Sequence, residues 1–294
     1  MPSVQFQSFL AMARNKPLNT DAGLELHREG LERVVDLFPP LPDVVATPVD
    51  AGGIPSEWID AQGTRDDRIL FFAHGGGYSL GSLRTHRRLA SDLARAGGLR
   101  ALSIAYRLAP EHRFPAAVED CVAAYRWLLG TGIKPEKIVF AGDSAGGGLV
   151  LSTMLKLRDE GNPLPAAGVC ISPWTDLAAT GASVFGRASQ DPILNPRDLH
   201  TFALRYLGDA DPRTPLASPL YGDMRGLPPL LIHVGSAEIL LDDSTRLASR
   251  ARDAGVDVTL HVAEEMIHAW HYFAGLIPEG EQAIAEVGQF IRAH

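Results

Sequence analysis

Two cysteines in 294 residues leave no material for a disulfide framework. Cys121 falls in a predicted helix and Cys170 in a predicted strand. Both read as buried, inert thiols, and neither sits at a turn beside a base, so a cysteine nucleophile is not expected. Basic tracts are also missing. With a formal charge of −8, the chain has no electrostatic footprint for nucleic acid. No apolar run is long enough to span a bilayer. The first ten residues carry neither a charged leader nor a long apolar stretch, so no signal peptide is visible and a cytoplasmic location is expected. The glycines contain no G-x-G-x-x-G after an early strand and no Walker lysine, which excludes the common nucleotide-binding loops.

What is present is an ordinary folded composition, 46% hydrophobic and 21% charged. The length suits one α/β domain with a large core. The spacing predicts a helix around Phe6, Phe9, Leu10 and Met12, and a second from Asp21 to Leu37 ended by Pro39-Pro40. Val44–Pro48 and Ile54–Ile59, separated by Asp50-Ala51-Gly52-Gly53, predict an opening hairpin. Beyond Arg68, apolar strands alternate with helices. The strands are Ile69–Ala73, Ala101–Ala105, Ile138–Ala141, Ala167–Ile171, Leu230–Val234 and Val256–Val262. The helices are Arg84–Ala96, Ala116–Leu129, Leu149–Arg158, Ser244–Ala254 and Glu281–Ala293. That alternation predicts a mostly parallel sheet covered on both faces. About fifty residues, 176–227, separate two strands and include a helix-like stretch, Asp198–Leu207. This is far longer than an ordinary crossover and predicts an insertion above the carboxyl edge of the sheet. The expected division is therefore a helical cap segment, 1–42, and a catalytic domain, 43–294, with the cap insertion at about 176–227.

The stretch Ile138-Val139-Phe140-Ala141-Gly142-Asp143-Ser144-Ala145-Gly146-Gly147-Gly148 organises the chain. A buried strand, G-x-S-x-G and a helix form a nucleophile elbow. The flanking glycines remove side chains that would clash across so tight a turn. The Ser144 and Ala145 amides then lie at a helix start, where free N–H groups favour an anion. After strand Ile69–Ala73 comes His74-Gly75-Gly76-Gly77. Glycines let fixed backbone N–H groups approach a developing oxyanion, and H-G-G-G after a strand accompanies G-x-S-x-G for that purpose.

With these motifs, and with Tyr106-Arg107-Leu108-Ala109-Pro110-Glu111-His112-Arg113-Phe114-Pro115-Ala116-Ala117-Val118-Glu119-Asp120, the chain resembles the hormone-sensitive-lipase-like esterases, the bacterial branch with a G-D-S-A-G motif. The resemblance runs from about Pro48 to the C-terminus. It implies an α/β-hydrolase fold with a helical cap, a Ser-His-acid triad and a carboxylesterase of short- to medium-chain acyl esters. It also implies amides of Gly76, Gly77 and Ala145 in the oxyanion hole, and a homodimer. His74, Gly75 and Asp143 support these loops.

A hydroxyl needs an imidazole base, and the imidazole needs a carboxylate, in the chain order Ser, acid, His. Among ten histidines, His268 matches the family's base, in Glu265-Met266-Ile267-His268-Ala269-Trp270-His271. His271 reads as structural and His233 as a buried strand residue. A metal site from His268 and His271 lacks a carboxylate or cysteine spaced with them, so no metal is expected, and no cofactor. The acid should follow strand Leu230–Val234, in Gly235-Ser236-Ala237-Glu238-Ile239-Leu240-Leu241-Asp242-Asp243. The family usually carries aspartate where Glu238 stands. Glutamate can do the same task, and Glu238 is favoured because it lies nearest the strand end. Asp242 and Asp243 are the alternatives, with Asp242 read as a helix-capping residue. Phe6, Phe9, Phe185, Phe202 and Tyr206 are candidates for an apolar pocket. The partner implied is a small-molecule ester. Lactone or amide hydrolysis by the same serine, and a non-catalytic binding protein on the same fold, are the competing readings.

Overall fold

The Asp50–Ile54 turn does open the sheet. Ala51 N–H donates to Ile54 O at 2.9 Å, and Gly53 N–H donates to the Asp50 carboxylate at 2.5 Å. The computed structural model describes residues 2–15, 23–37 and 41–294. Asp21, Ala22, Pro39 and Pro40, on which part of the second-helix expectation rests, lie outside them. In chain order the elements are α1 (Val4–Asn15), α2 (Leu24–Val34), β1 (Val44–Asp50), β2 (Pro55–Ala61), β3 (Arg65–Ala73), α3 (Leu83–Gly97) and β4 (Leu99–Ile104). Then follow α4 (Ala116–Gly130), β5 (Ile138–Asp143), α5 (Ala145–Asp159), β6 (Ala167–Ile171), α6 (Ser183–Gly186) and α7 (Pro196–Leu207). The chain closes with β7 (Leu230–Gly235), α8 (Leu241–Asp253), β8 (Val258–Ala263) and α9 (Pro278–Ala293).

The eight strands form one sheet in the order β1-β2-β4-β3-β5-β6-β7-β8. β1 and β2 pair antiparallel, as do β2 and β4, and every later pair is parallel. Alternate residues of each strand feed two cores. Ile69 and Phe71 of β3 and Ile138 and Phe140 of β5 face one side, with Leu149 of α5, Val118 of α4 and Leu247 of α8. Leu70, Phe72, Val139 and Ala141 face the other, with Leu89 and Leu93 of α3 and Val287 and Ile291 of α9. That period of two under two helical layers is the doubly covered parallel sheet the sequence predicts.

Parallel strands end at one edge, so the loops after β3, β5, β6, β7 and β8 gather there. The N-terminal helices rest against the same loops. Phe6 of α1 packs with Met266, Ile267 and Trp270. No residue of α2 is buried. Arg28 holds that helix by polar bonds instead, donating to Ser79 O (2.9 Å) and Ala109 O (3.1 Å) and pairing with Glu111. Cys121 and Cys170 are free and buried. No helix among the described residues is long and apolar enough to cross a membrane.

Candidate active site

Ser144 sits between β5 and α5 at φ 55° and ψ −121°, a conformation L-residues rarely adopt. Such a residue costs roughly 1–3 kcal/mol and persists only where its surroundings hold it. They do. Ser144 N–H donates to Ile171 O at 2.8 Å, and Ser144 O accepts Gly148 N–H at 3.1 Å and Trp174 N–H at 2.9 Å. A Cβ on Gly146 would stand 2.1 Å from Ala73 O, so only glycine lets the helix start this close to β3. α5 begins at Ala145, the helix start the elbow motif implies and four residues before the apolar run from Leu149, because Gly146, Gly147 and Gly148 are helical here in spite of their low propensity.

The glycine loop lies beside the elbow. Asp143 Oδ1 accepts Gly75 N–H at 3.1 Å, and Asp143 Oδ2 lies 3.4 Å from His86 Nε2. Burial works to raise the Asp143 pKa, but the adjacent imidazoles outweigh it and leave the carboxyl below its ordinary value. His74 Nδ1–H donates to Gly75 O at 2.7 Å, and its ring stacks on Tyr106 at 4.3 Å. Burial pushes the His74 pKa down to about 3, so the ring stays neutral in that role. Gly76 O accepts N–H groups of Ser79 (3.1 Å) and Leu80 (2.8 Å), which folds the loop back on itself. The N–H groups of Gly76 and Gly77 carry no hydrogen bond among the described residues.

Glu238 and His268 meet across the ends of β7 and β8. His268 Nδ1–H donates to Glu238 Oε2 at 2.8 Å. Glu238 is fully buried, and its Oε1 accepts Gly235 N–H (2.5 Å) and the Ser172 hydroxyl (2.8 Å). Burial lowers the His268 pKa, but the bond to Glu238 and the charges of Glu238, Asp191 and Asp143 prevail and raise it above its ordinary value. Asp242 and Asp243 point elsewhere. Asp242 Oδ2 accepts Ser183 N–H at 2.9 Å, so it anchors α6 of the insertion instead of capping its own helix. Asp243 Oδ2 accepts Thr175 N–H (2.7 Å) and Asp176 N–H (2.8 Å), fixing the start of the insertion.

Sequence reasoning missed two residues. Ser172, directly after β6, donates to Glu238 and accepts Ala269 N–H at 3.0 Å. One hydroxyl thus links Glu238 to the residue after His268. The only signal available is its position just past a parallel strand. Asp191, in the insertion, accepts Ile193 N–H (2.9 Å) and Leu194 N–H (3.0 Å) on one oxygen and Ile239 N–H (3.0 Å) on the other. Burial raises its pKa. It fixes the residue after Glu238 and adds negative potential at His268. Nothing in an Asp-Pro turn marks that role.

The aromatic candidates divide. Phe202 lies against Gly77, where a Cβ would stand 2.6 Å from the ring, and Tyr206 stacks on Tyr78 at 3.8 Å. Phe6 and Phe9 pack against the His268 loop and Phe273. Phe185 is 74% exposed.

A family model described as alpha/beta hydrolase fold matches residues 70–272. A solved esterase of the bacterial hormone-sensitive lipase family superposes with a TM-score of 0.96 at 48% identity, covering 100% of this chain and 99% of that one. The chain belongs to the hormone-sensitive-lipase-like esterases of the α/β-hydrolase fold. An acetyl-hydrolase of Streptomyces hygroscopicus is 47% identical over 269 residues, 92% of this chain and 90% of its own length. An esterase of Acinetobacter venetianus is 37% identical over 278 residues, 93% and 91% of the two chains. Membership makes this chain an enzyme of the ester-hydrolysing class, and the family expectation raised by the motifs holds.

Proposed function

We propose that the chain hydrolyses short- to medium-chain carboxylic esters with Ser144 as nucleophile, His268 as base and Glu238 as the acid partner. The observation that carries this reading is the 2.8 Å bond from His268 Nδ1 to a fully buried Glu238. That bond fixes the tautomer, leaving the other imidazole nitrogen to accept a proton.

Ser144 Oγ attacks the ester carbonyl as His268 takes its proton. The carbonyl oxygen becomes an oxyanion held by the N–H groups of Gly76, Gly77 and Ala145. The intermediate collapses, the C–O bond to the alcohol breaks, and His268 returns the proton to the leaving alkoxide. Water then attacks the acyl-enzyme with His268 again as base. The acid is released and Ser144 regains its proton. Glu238 stays ionised and balances the imidazolium in each half. Asp143 ties the elbow to the glycine loop, so the nucleophile and the oxyanion donors keep one spacing.

The cap assignment belongs to the same reading. A cavity of about 290 Å³ lies between α1, through Ala13 and Arg14, and the insertion, through Asp191, Ile193 and Leu194. Two segments far apart in sequence thus line one space, which includes Asp191, and this supports their acting together as a cap. The buried thiols of Cys121 and Cys170 fit the cytoplasm as the compartment. A homodimer rests on the resemblance, and a mass measurement in solution checks it.

Hydrolysis of p-nitrophenyl esters from acetate to laurate tests the proposal. Activity highest on the short and middle chains, and lost in Ser144→Ala by about 10⁴-fold or more, is the expected outcome. Folded wild type inert on every ester, or a Ser144→Ala variant that keeps its rate, contradicts it. Inertness toward these esters with turnover of lactones or amides would move the leaving group and keep the serine.

A further inference from the structure

β7 and β8 run parallel with His233 directly opposite His261. Residues so paired project from the same face of a sheet. Their ring centroids lie 4.9 Å apart. α9 crosses this face and brings Glu286, whose Oε2 is 2.7 Å from His261 Nδ1. One donor atom from each of His233, His261 and Glu286 lies within 4.8 Å of the others. On the inner side, His233 Nδ1 is 3.0 Å from His271 Nε2, and Trp270 stacks parallel to the His233 ring at 6.2 Å. On the outer side a cavity of about 220 Å³ opens, lined by His261 and Glu286 together with Glu264, Glu265 and Glu279. None of His233, His261 and Glu286 has a part in ester hydrolysis.

The ordinary reading is a half-exposed ion pair, His261 with Glu286, above a buried imidazole pair. A half-exposed ion pair contributes little to stability. It also gives no reason for a third donor, from the neighbouring strand, to converge on it, nor for an acid-lined entrance. Two imidazoles and one carboxylate form a donor set that Zn²⁺ accepts, with the fourth position left to water. The contact from His233 Nδ1 to His271 has the form of the outer hydrogen bond that orients a ligating imidazole. Hard Mg²⁺ and Ca²⁺ prefer all-oxygen shells and do not suit these nitrogens. His261 and Glu286 are 39% and 29% exposed, so their side chains have room to close the remaining distance around an ion.

We propose that His233, His261 and Glu286 bind one divalent transition ion of the Zn²⁺ type, pinning α9 to β7 and β8. An ion that binds only the folded state stabilises it by mass action, so the expected consequence is stability and not a new reaction. The sequence hides the site because its ligands lie on three elements. Only the β7–β8 register makes His233 and His261 neighbours.

Chelator-treated protein, titrated calorimetrically with ZnCl₂ and separately with CoCl₂, tests the inference. Wild type should take up one equivalent, show the visible absorption of low-symmetry Co²⁺, and melt at a higher temperature with Zn²⁺ but not with Mg²⁺. His261→Gln and Glu286→Gln, both partly exposed substitutions, should each weaken Zn²⁺ binding by about 10- to 100-fold and lose the melting shift. Ester hydrolysis by the ion-free variants should match wild type. No saturable binding overturns the proposal. So does binding and stabilisation left intact in both variants, which would place the ion elsewhere on the chain.

Discussion

The two halves of the site are built from different materials. On the β3–β5 side, the glycine loop and the elbow are backbone structures, held by positive φ angles at Gly76 (111°), Gly77 (59°) and Ser144 (55°). On the β6–β8 side, the side chains of Ser172, Glu238, His268 and Asp191 bond to one another or to the neighbouring Ile239 and Ala269 N–H groups, between residues 30 to 97 apart in the chain. The first half leaves a mark in the sequence, because only glycine tolerates those approaches. In the second, Glu238 and His268 could be picked out by position along the chain, but Ser172 and Asp191 leave no mark, because serine and aspartate occur everywhere and their bonds exist only once the strands are in register. The backbone half should therefore break as structure and the side-chain half as chemistry.

Gly146→Ala should have the largest effect. Its Cβ would meet Ala73 O at 2.1 Å, between two backbone segments that cannot both yield. A loss of about 3 kcal/mol or more in denaturant unfolding is expected, with little folded enzyme left to assay. A folded, active variant would mean that the elbow and β3 are less tightly joined than described.

Ser172→Ala should leave the fold nearly intact and weaken the other half. It removes one donor to Glu238 and the acceptor of Ala269 N–H. A fall in kcat of about 10-fold is expected, corresponding to one or two hydrogen bonds, with KM nearly unchanged. An equal rise in KM, or an unchanged kcat, would make Ser172 a packing residue only.

Asp191→Asn should act mainly through pH. In the proposed mechanism only neutral His268 accepts the serine proton, so activity should rise with pH through the His268 pKa, which is held above its ordinary value. Removing the Asp191 charge removes one cause of that rise. The acid limb of kcat/KM should move to lower pH, by less than about one unit for a charge that is not the direct partner. A limb that stays in place, or moves up, would limit Asp191 to holding the Ile239 amide.

The sheet was largely legible because its strands are near-continuous apolar runs between helices: seven predicted strands appear within two residues of their expected bounds, and β3 begins four residues early, at Arg65. For α5 the apolar run alone begins only at Leu149, and it is the elbow motif that places the helix start at Ala145: three consecutive glycines argue locally for a loop, while close packing on Ala73 requires them in the helix. α2 attaches through Arg28, and its polar bonds to the Ser79 and Ala109 carbonyls leave no period to read. At the site, Ser144 and the glycines could be assigned from local pattern. Glu238 could be separated from Asp242 and Asp243 only by an argument about distance from the strand end, and Asp191 could not be found at all.

The measurement that bears most directly on the account is the pair of initial rates for Glu238→Gln and Asp242→Asn on p-nitrophenyl butyrate, with both variants confirmed folded. The geometry predicts a loss of about 10³- to 10⁴-fold for Glu238→Gln, as when the partner of a catalytic imidazole loses its charge. It predicts a change of no more than about 3-fold for Asp242→Asn, whose carboxylate anchors Ser183. The reverse pattern, or two equal losses, would contradict the assignment of Glu238 as the acid.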